Sequence, residues 1–267
     1  MPRLSLCMIV QNEAAFLGDC LASVAGLVDE MVIADTGSTD NTVEIATQAG
    51  AKVIPVSWED DFALARNQAL AATTGDWVLV LDADERLNIL VKDGIQKAIA
   101  TEKALVVNLM RHELGSNQSP YSLVSRLFRR HPAVQFSRPY HETIDDSVLM
   151  LLAQEPDWQV IDLPGVAILH QGYNPTLLKQ RGKTQRAKHL LEKARADNPQ
   201  DPYLCSKLGA LYFSLGEEKE GLKLSASKIR FFDLLRRFFA RLGRFGRSNS
   251  GLSSSNSYRS IPGDRLF

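Results

Sequence analysis

The chain has 267 residues, of which 45% are hydrophobic and 23% are charged. This is the composition of an ordinary folded protein, so it excludes collagen-like, low-complexity and largely disordered chains. The formal net charge of zero conceals an asymmetry, because residues 223–267 carry ten basic and two acidic side chains, which leaves 21 basic and 29 acidic ones in residues 1–222. We expect one domain of good size with a smaller, basic appendage.

Cysteine content and hydropathy indicate in which cellular compartment the protein works. The three cysteines form no Cys-x-x-Cys pair, which excludes a disulfide framework and a cysteine zinc site. No apolar run approaches the roughly 20 residues that a membrane-spanning helix needs. The apolar start gives way to polar residues at Gln11, too early for a signal peptide. We therefore predict a cytoplasmic protein.

The first hundred residues alternate between short apolar runs and segments with helical spacing. Predicted strands cover Leu4–Val10, Met31–Ala34, Lys52–Val56 and Trp77–Leu81. Predicted helices cover 14–27, Thr42–Ala49 and Phe62–Ala72. Strands and helices that alternate in this way form a doubly wound, mostly parallel sheet, so the predicted fold class is α/β.

Beyond Leu87 the pattern is weaker but still mixed. It predicts a helix over Asp93–Ala100 and strands over Leu105–Met110, Ser122–Phe128 and Val166–Leu169, the last of which ends at His170. Helical spacing returns over Asn174–Lys193 and again from Tyr203. The second of these helices carries residues at tetratricopeptide spacing, namely Leu208, Gly209, Tyr212 and Leu215–Glu217. We predict an α/β domain over 1–173 and a tetratricopeptide-like helical segment over 174–222.

The basic tail has a pattern of its own. Residues 223–247 place phenylalanines and leucines on one helical stripe with arginines around it, which predicts a basic amphipathic helix. This helix either contacts a membrane surface, with the protein peripheral at the inner face, or replaces lost repeats without a role of its own. The last twenty residues are rich in serine and arginine and are expected to be disordered.

Two acidic turns follow predicted strands. Asp82-Ala83-Asp84-Glu85 comes directly after an apolar strand, and ligands of open α/β sheets bind beyond the carboxyl ends of the strands. Carboxylates two residues apart can hold a hard cation such as Mn²⁺ or Mg²⁺, with positions left for phosphate oxygens. Asp35 ends the second strand in the matching place, where its carboxylate can accept the imide N–H of uracil. The alternative for both turns is a purely structural helix cap.

Four ordered blocks carry a family resemblance. They are Ser5–Glu13, Asp29–Thr42, Phe62–Asn67 and Trp77–Glu85. Together they resemble the family 2 glycosyltransferases, and most closely the bacterial branch in which tetratricopeptide repeats follow the catalytic domain. The resemblance is dense over residues 4–87 and sparse over 120–217.

The resemblance implies a GT-A fold, a nucleotide-sugar donor that is a UDP-sugar in most relatives, and a diphosphate held through Mn²⁺ or Mg²⁺. It also implies roles for residues on the donor side. Val10 and Glu13 are expected against the base and ribose, Asp35 at the uracil, Arg66 as a brace of the site, Asp82 at the ribose or metal, and Asp84 as a metal ligand.

The reaction that this implies needs a base. A hydroxyl of the acceptor attacks the anomeric carbon, and a carboxylate takes its proton. In the resembled branch the base lies in a downstream segment that Arg138–Glu142 matches, so Glu142 is the candidate base. Asp145 and Asp146 are alternative bases. The structural alternative is that His141 and Glu142 are only a solvated pair in a loop. His170 is a candidate third metal ligand or, equally, a histidine packed at the sheet edge.

Other motifs are incomplete. The segment around Gly182-Lys183-Thr184 lacks the first glycine of a P-loop, and neither G-x-G-x-x-G nor G-x-S-x-G occurs. The tail arginines come with no recognition module, so no nucleic-acid partner is expected. We predict a metal-dependent, inverting glycosyltransferase with an unknown saccharide, lipid-linked or protein acceptor. Its rivals are a repeat-containing interaction protein with a vestigial site and a nucleotidyltransferase, which releases pyrophosphate instead.

Overall fold

The computed structural model describes residues 1–116, 120–171 and 183–224. Within them one mixed sheet contains eight strands: β1 (Leu4–Val10), β2 (Glu30–Asp35), β3 (Lys52–Pro55), β4 (Trp77–Val80), β5 (Glu85–Leu87), β6 (Ala104–Glu113), β7 (Tyr121–Arg129) and β8 (Gln159–His170). Their spatial order is β3-β2-β1-β4-β7-β6-β8-β5. The predicted α/β class is confirmed.

The helices are α1 (Leu17–Val24), α2 (Thr42–Gln48), α3 (Phe62–Ala71), α4 (Lys92–Ile99), α5 (Asp145–Gln154), α6 (Lys183–Asp197) and α7 (Pro202–Ser214), with a 3-10 turn at Ile89–Val91 before α4. A further helix covers 218–224. Each predicted helix that falls within the described residues is present to within a few residues at its ends. Residues 174–182 of the helix predicted to start at Asn174, and residues 225–267 of the predicted basic tail, lie outside the described residues.

The first four strands form the parallel half of the sheet. β1 pairs in parallel with β2 on one side and with β4 on the other, and β2 pairs in parallel with β3. Side chains alternate between the two faces of β1. Leu4, Leu6, Met8 and Val10 join one buried cluster with α1, α2 and α4, whereas Cys7 joins a second cluster with α3 and α5. This half matches the sequence prediction because each of its strands reads as an apolar run.

The second half of the sheet is mixed. β7 runs antiparallel to both β4 and β6, β8 runs parallel to β6, and β5 runs antiparallel to β8. Two elements here were not predicted, namely β5 and α5. β5 has only three residues, and α5 starts in the acidic and polar stretch after Thr143, so neither carries a strong periodic signal.

The described residues fall into two compact units, which divide between Pro199 and Gln200. Helix α6 therefore belongs to the first unit, although its residues were assigned to the helical segment after residue 173. Its Lys193 Nζ donates to Asp60 at 3.1 Å, and its Leu190 is buried. Helical pattern alone cannot say which neighbour a helix packs against, and here the neighbour is the α/β body.

The second unit starts with a capped helix. The side chain of Asp201 accepts hydrogen bonds from the first-turn amides of α7, and Pro202 occupies the first turn, where its missing N–H costs nothing. Gly216 in the turn after α7 has a φ of 76°, a conformation that glycine adopts readily. Gly221 in the next helix lies so close to the ring of Phe213 that a Cβ would clash at 2.9 Å. Within the described parts of the chain, no helix has both the length and the apolar character needed to cross a bilayer.

Candidate active site

The candidate residues gather at one edge of the sheet. β1, β2 and β4 are parallel, so their carboxyl ends, which carry Val10, Asp35 and the Asp82 turn, lie at the same edge. We call Asp35–Thr42 the β2 turn and Asp82–Glu85 the β4 turn.

The β2 turn is bonded to the segment that follows β1. Asn12 accepts a hydrogen bond from the Thr39 amide at 2.8 Å through its side chain, and its own amide donates to Ser38 Oγ at 2.9 Å. The Glu13 amide donates to Thr42 Oγ1 at 2.8 Å. Asn12 has a φ of 56°, which asparagine tolerates better than most residues. The two segments thus form one rigid rim at the carboxyl edge.

Asp35 is held by its own turn. Its carboxylate accepts hydrogen bonds from the amides of Gly37 at 3.1 Å and Ser38 at 3.0 Å. These bonds stabilise the turn itself and do not cap helix α2, which begins at Thr42. A carboxylate has about four acceptor positions, so these bonds leave capacity for a further donor. Val10 is 4% exposed and packs in the core, while its carbonyl accepts from Thr36, so it forms the floor of this edge.

Asp82 is held by two arginines. Arg66 of α3 and Arg126 of β7 both donate to its carboxylate, the latter at 3.0 Å. Burial by itself would raise the pKa of Asp82, but the two guanidinium groups outweigh burial and hold that pKa well below its usual range. Asp82 is therefore ionised at neutral pH, and about a third of its side chain, 35%, stays exposed.

Glu142 reaches the same arginine from a distant loop. Arg66 Nε donates to Glu142 Oε1 at 3.0 Å, and Arg66 itself is 2% exposed. The loop is fixed on α3, because Asn67 exchanges two hydrogen bonds with the backbone of Phe136 and the Phe62 amide donates to the Pro139 carbonyl. The guanidinium group of Arg66 therefore bridges the carboxylates of Glu142 and Asp82.

The alternatives to Glu142 are placed differently. Asp146 accepts two hydrogen bonds from Arg138 and one from Ser137, so its carboxylate is engaged in a local pair. Burial would raise the pKa of Asp146, but these donors lower it. Asp145 is exposed on the first turn of α5. Within the same loop Arg138 and His141 have φ values of 78° and 56°, conformations that cost most non-glycine residues energy and are typical of functional sites.

Asp84 and His170 lie close together, where the start of β5 meets the end of β8. Residue Glu85 of β5 pairs with His170 of β8, and the Gln171 amide donates to the Asp84 carbonyl at 2.9 Å. This register puts His170 Nε2 3.4 Å from Asp84 Oδ1, while Nδ1 bonds the carboxylate of Glu113. Burial lowers the pKa of His170, but hydrogen bonds to Asp84 and Glu113 dominate and raise it to about 9.

A fully buried glutamate stabilises the backbone of the β4 turn. Glu85 is 0% exposed, accepts from the Asp82 amide at 2.9 Å, and pairs with Arg111 Nη1 at 3.1 Å. Burial and the charge of Asp82 raise the pKa of Glu85. Arg111 also pairs with Glu113, at 2.7 Å from Nε to Oε1.

The donor set at Asp84 and His170 fits a divalent cation in part. Ligands about 2.1 Å from an octahedral ion lie about 3 Å apart, which is close to the spacing of these two atoms. Within the described parts of the chain, no cluster of three or more histidine, cysteine or acidic side chains is arranged to bind a metal. The described residues thus offer Asp84 and His170 as donors, and a small donor set is usual where substrate phosphates and water complete the coordination.

Sequence reasoning missed several charged residues of this edge. Arg126, Arg111 and Glu113 had no assigned role, and Arg186 was placed in the helical segment. In the structure the Arg186 guanidinium lies 4.4 Å from the ring centroid of Trp58 and 3.4 Å from the Gln11 side-chain oxygen. The available signal was the strand alternation of β6 and β7, which puts Arg111 and Glu113 on one face, but alternation cannot show which strand end they meet.

Comparison with known proteins now decides the family. The family model described as Glycosyl transferase family 2 matches residues 5–161. The chain belongs to this family. It is 50% identical over 219 residues to a TPR repeat-containing protein of Synechococcus elongatus, covering 82% of this chain and 54% of that protein. It is 27% identical over 254 residues to the SPbeta prophage-derived glycosyltransferase SunS of Bacillus subtilis, covering 89% of this chain and 56% of SunS. The chain thus spans about half the length of the curated relatives that it matches.

Solved structures show the same fold at low identity. TarS residues 1–349 of S. aureus, in complex with UDP-GlcNAc, align with a TM-score of 0.55 at 14% identity, over 79% of this chain and 73% of that one. Glucosyl-3-phosphoglycerate synthase of Mycobacterium tuberculosis, in complex with Mn²⁺, UDP and phosphoglyceric acid, aligns with a TM-score of 0.51 at 21% identity, over 72% and 78%. The predicted GT-A architecture is confirmed.

Proposed function

We propose that this chain catalyses metal-dependent, inverting transfer of a sugar from a nucleotide-sugar donor, with a UDP-sugar favoured, to a hydroxyl of an acceptor. The observation that carries the proposal is the cluster of Asp82, Asp84, His170 and Glu142 at the carboxyl edge of a family 2 sheet. The neighbours with bound UDP-GlcNAc, or with Mn²⁺ and UDP, support the choice of donor.

The β2 turn and the segment after β1 would bind the nucleoside. Asp35 keeps acceptor capacity for the uracil imide N–H after its two turn bonds, and Glu13 lies on the same rim, for the ribose. Val10 supports the base from below as part of the buried floor. Because the rim is bonded internally, it would bind without a large ordering cost.

The β4 turn would bind the diphosphate. Asp84 and His170 are the residues that would hold Mn²⁺ or Mg²⁺. A cation bound there supplies charge neutralisation for the nucleoside diphosphate leaving group. Asp82 is kept ionised by Arg66 and Arg126, so its exposed edge offers an acceptor to the ribose hydroxyls or to metal-bound water.

Glu142 would act as the base. The acceptor oxygen forms a bond to the anomeric carbon, the bond from that carbon to the phosphate oxygen breaks, and the acceptor proton passes to the Glu142 carboxylate. UDP departs, and a single displacement of this kind inverts the anomeric configuration. Arg66 orients Glu142 through its Nε and leaves the second carboxylate oxygen to meet the hydroxyl.

The experiment that tests the function needs no acceptor. A panel of nucleotide sugars is incubated with the chain, with Mn²⁺ or with a chelator, and the released nucleotide is measured by chromatography. We expect UDP release from at least one UDP-sugar that Mn²⁺ stimulates and the chelator abolishes.

The matched controls are two aspartate variants. Asp84→Asn should lose the Mn²⁺ stimulation, whereas Asp93→Asn, at an exposed position of α4, should keep it. Release of pyrophosphate instead of UDP would indicate nucleotidyl transfer, and no release from any donor would contradict the proposed activity.

A further inference from the structure

Three strand ends meet around one histidine. His170, at the end of β8, pairs in register with Glu85 of β5 on one side and with Glu113 of β6 on the other. The Leu114 amide also donates to the His170 carbonyl at 3.0 Å. The backbone of His170 is therefore fixed from both sides, and only the rotation of its ring is left for side chains to decide.

We propose that Glu113 is a positioning residue, which holds the imidazole of His170 so that Nε2 points at Asp84 and the diphosphate side of the cleft. This proposal rests on the proposed function, because it concerns how that site is prepared for its cation. Nothing in the family match or in the motifs of the sequence assigns a role to Glu113.

The contacts define which ring nitrogen faces Asp84 and which faces Glu113. Glu113 bonds Nδ1 of His170 and is 8% exposed, and Asp84 Oδ1 lies 3.4 Å from Nε2 on the opposite side of the ring. An ionised carboxylate can only accept, so the bond to Glu113 places a proton on Nδ1. In the neutral imidazole the lone pair is then on Nε2, the nitrogen that faces Asp84. A metal-binding histidine commonly donates its other ring N–H to a carboxylate, a backbone carbonyl or water, and Glu113 is such a carboxylate.

Arg111 fixes Glu113 in turn. Its guanidinium pairs with Glu113 Oε1 at 2.7 Å and with Glu85 Oε1 at 3.1 Å. Glu85 accepts from the Asp82 amide, so one connected set of charges links the ring of His170 to the backbone of the β4 turn. A side chain held at both carboxylate oxygens cannot swing away, which is what a support for a ligand requires.

The test compares two substitutions by their effect on Mn²⁺ binding, without turnover. Glu113→Gln keeps the size and an oxygen acceptor for Nδ1, whereas Glu113→Leu removes the acceptor and leaves Arg111 paired with Glu85. Mn²⁺ affinity in the presence of UDP is measured by electron paramagnetic resonance titration. We expect Glu113→Leu to weaken Mn²⁺ binding about 10- to 100-fold, Glu113→Gln to stay within a few-fold of the wild type, and both to bind uridine normally.

A spectroscopic measurement on the wild-type chain covers the case in which Glu113→Leu does not fold. With Mg²⁺ and UDP bound, nitrogen-15 correlation spectra of the His170 ring should show the proton on Nδ1. Protonation on Nε2 in that state, or wild-type Mn²⁺ affinity in a folded Glu113→Leu variant, would overturn the proposal. Absence of Mn²⁺ binding by the wild-type chain would instead refute the metal role in the proposed function, and this proposal with it.

Discussion

The β2 turn and the β4 turn resemble each other in sequence but are held in different ways. Each is an acidic turn after a buried parallel strand. The carboxylate of Asp35 is satisfied by amides two and three residues further along the chain. Asp82 is instead held by arginines 16 and 44 residues away. A turn satisfied locally keeps its shape by itself, whereas the β4 turn depends on two distant elements, α3 with Arg66 and β7 with Arg126.

The difference has an energetic consequence. Hydrogen bonds within an exposed turn contribute about 1 kcal/mol each. Removal of one partner of a buried ion pair costs more, because the charge that is left behind is cut off from water. Substitutions around the two turns should therefore differ in the size of their effect and in the property that they change. The following predictions run from the largest effect to the smallest.

Arg66→Met should be the most destabilising change. It removes the cation that Asp82 and Glu142 share at a position 2% exposed. We expect the free energy of unfolding to fall by about 3 kcal/mol, the lower end for a broken buried pair, since Asp82 keeps Arg126. Urea unfolding measures this loss.

The control for Arg66 is a surface pair. Arg86 pairs with Asp19, and their side chains are 38% and 63% exposed. Arg86→Met should cost less than about 1 kcal/mol. If both variants lose the same stability, the buried network does not support the β4 turn in the way described.

Glu142→Gln should separate catalysis from binding. The amide keeps the contact with Arg66 but cannot take a proton, so transfer should slow by about 100-fold or more. Calorimetry should show unchanged affinity for UDP with Mn²⁺. If transfer continues at the wild-type rate, the base is another carboxylate, and Asp145→Asn and Asp146→Asn then identify it.

A pair of aspartate variants should distinguish the two turns by their ligands. Asp84→Asn should remove the gain in UDP affinity that Mn²⁺ provides, about tenfold or more, and leave uridine binding intact. Asp35→Asn should weaken the binding of uridine and of UDP to the same extent, by about the free energy of the one hydrogen bond that is lost. It should keep the gain in UDP affinity that Mn²⁺ provides. Calorimetry with uridine and with UDP, each with and without Mn²⁺, measures these affinities for both variants. Equal responses of the two variants would mean that the turns do not divide the donor between them.

The smallest effect concerns acid stability of the β2 turn. Burial by itself would raise the pKa of Asp40, but the hydrogen bonds from Thr42 and Ala14 together outweigh burial and lower that pKa from its usual 3.8. A lowered pKa in the folded state stabilises the fold above pH 3.8, and this contribution is lost as the pH falls below that value. Because Asp40 is exposed and water screens its interactions, Asp40→Asn should show only a slightly shallower loss of stability between pH 5 and pH 2, by less than about 1 kcal/mol. If the wild type and Asp40→Asn lose stability in parallel as the pH falls, Asp40 makes no such contribution.

Local patterns in the sequence were sufficient for the first half of the fold. Apolar runs gave β1 to β4, and helical spacing gave α3 within one residue at its end, while the structure shows that Asp61 caps its first turn. The turn residues of Asp35–Thr42 and Asp82–Glu85 identified both acidic turns. These signals work because periodicity and capping act between residues two to four positions apart.

Which charges meet was decided by the tertiary structure alone. Glu142 reaches Arg66 across 76 residues, and Glu113 meets His170 across 57. These pairs depend on strand order and register in the second half of the sheet, where β5 and α5 give no strong local pattern. The same holds for α6, which the sequence shows to be a helix but which only packing assigns to the first unit. The sequence therefore determined the family, the α/β class and the acidic turns. The arrangement of arginines and carboxylates around those turns required long-range pairing, which a local pattern does not encode.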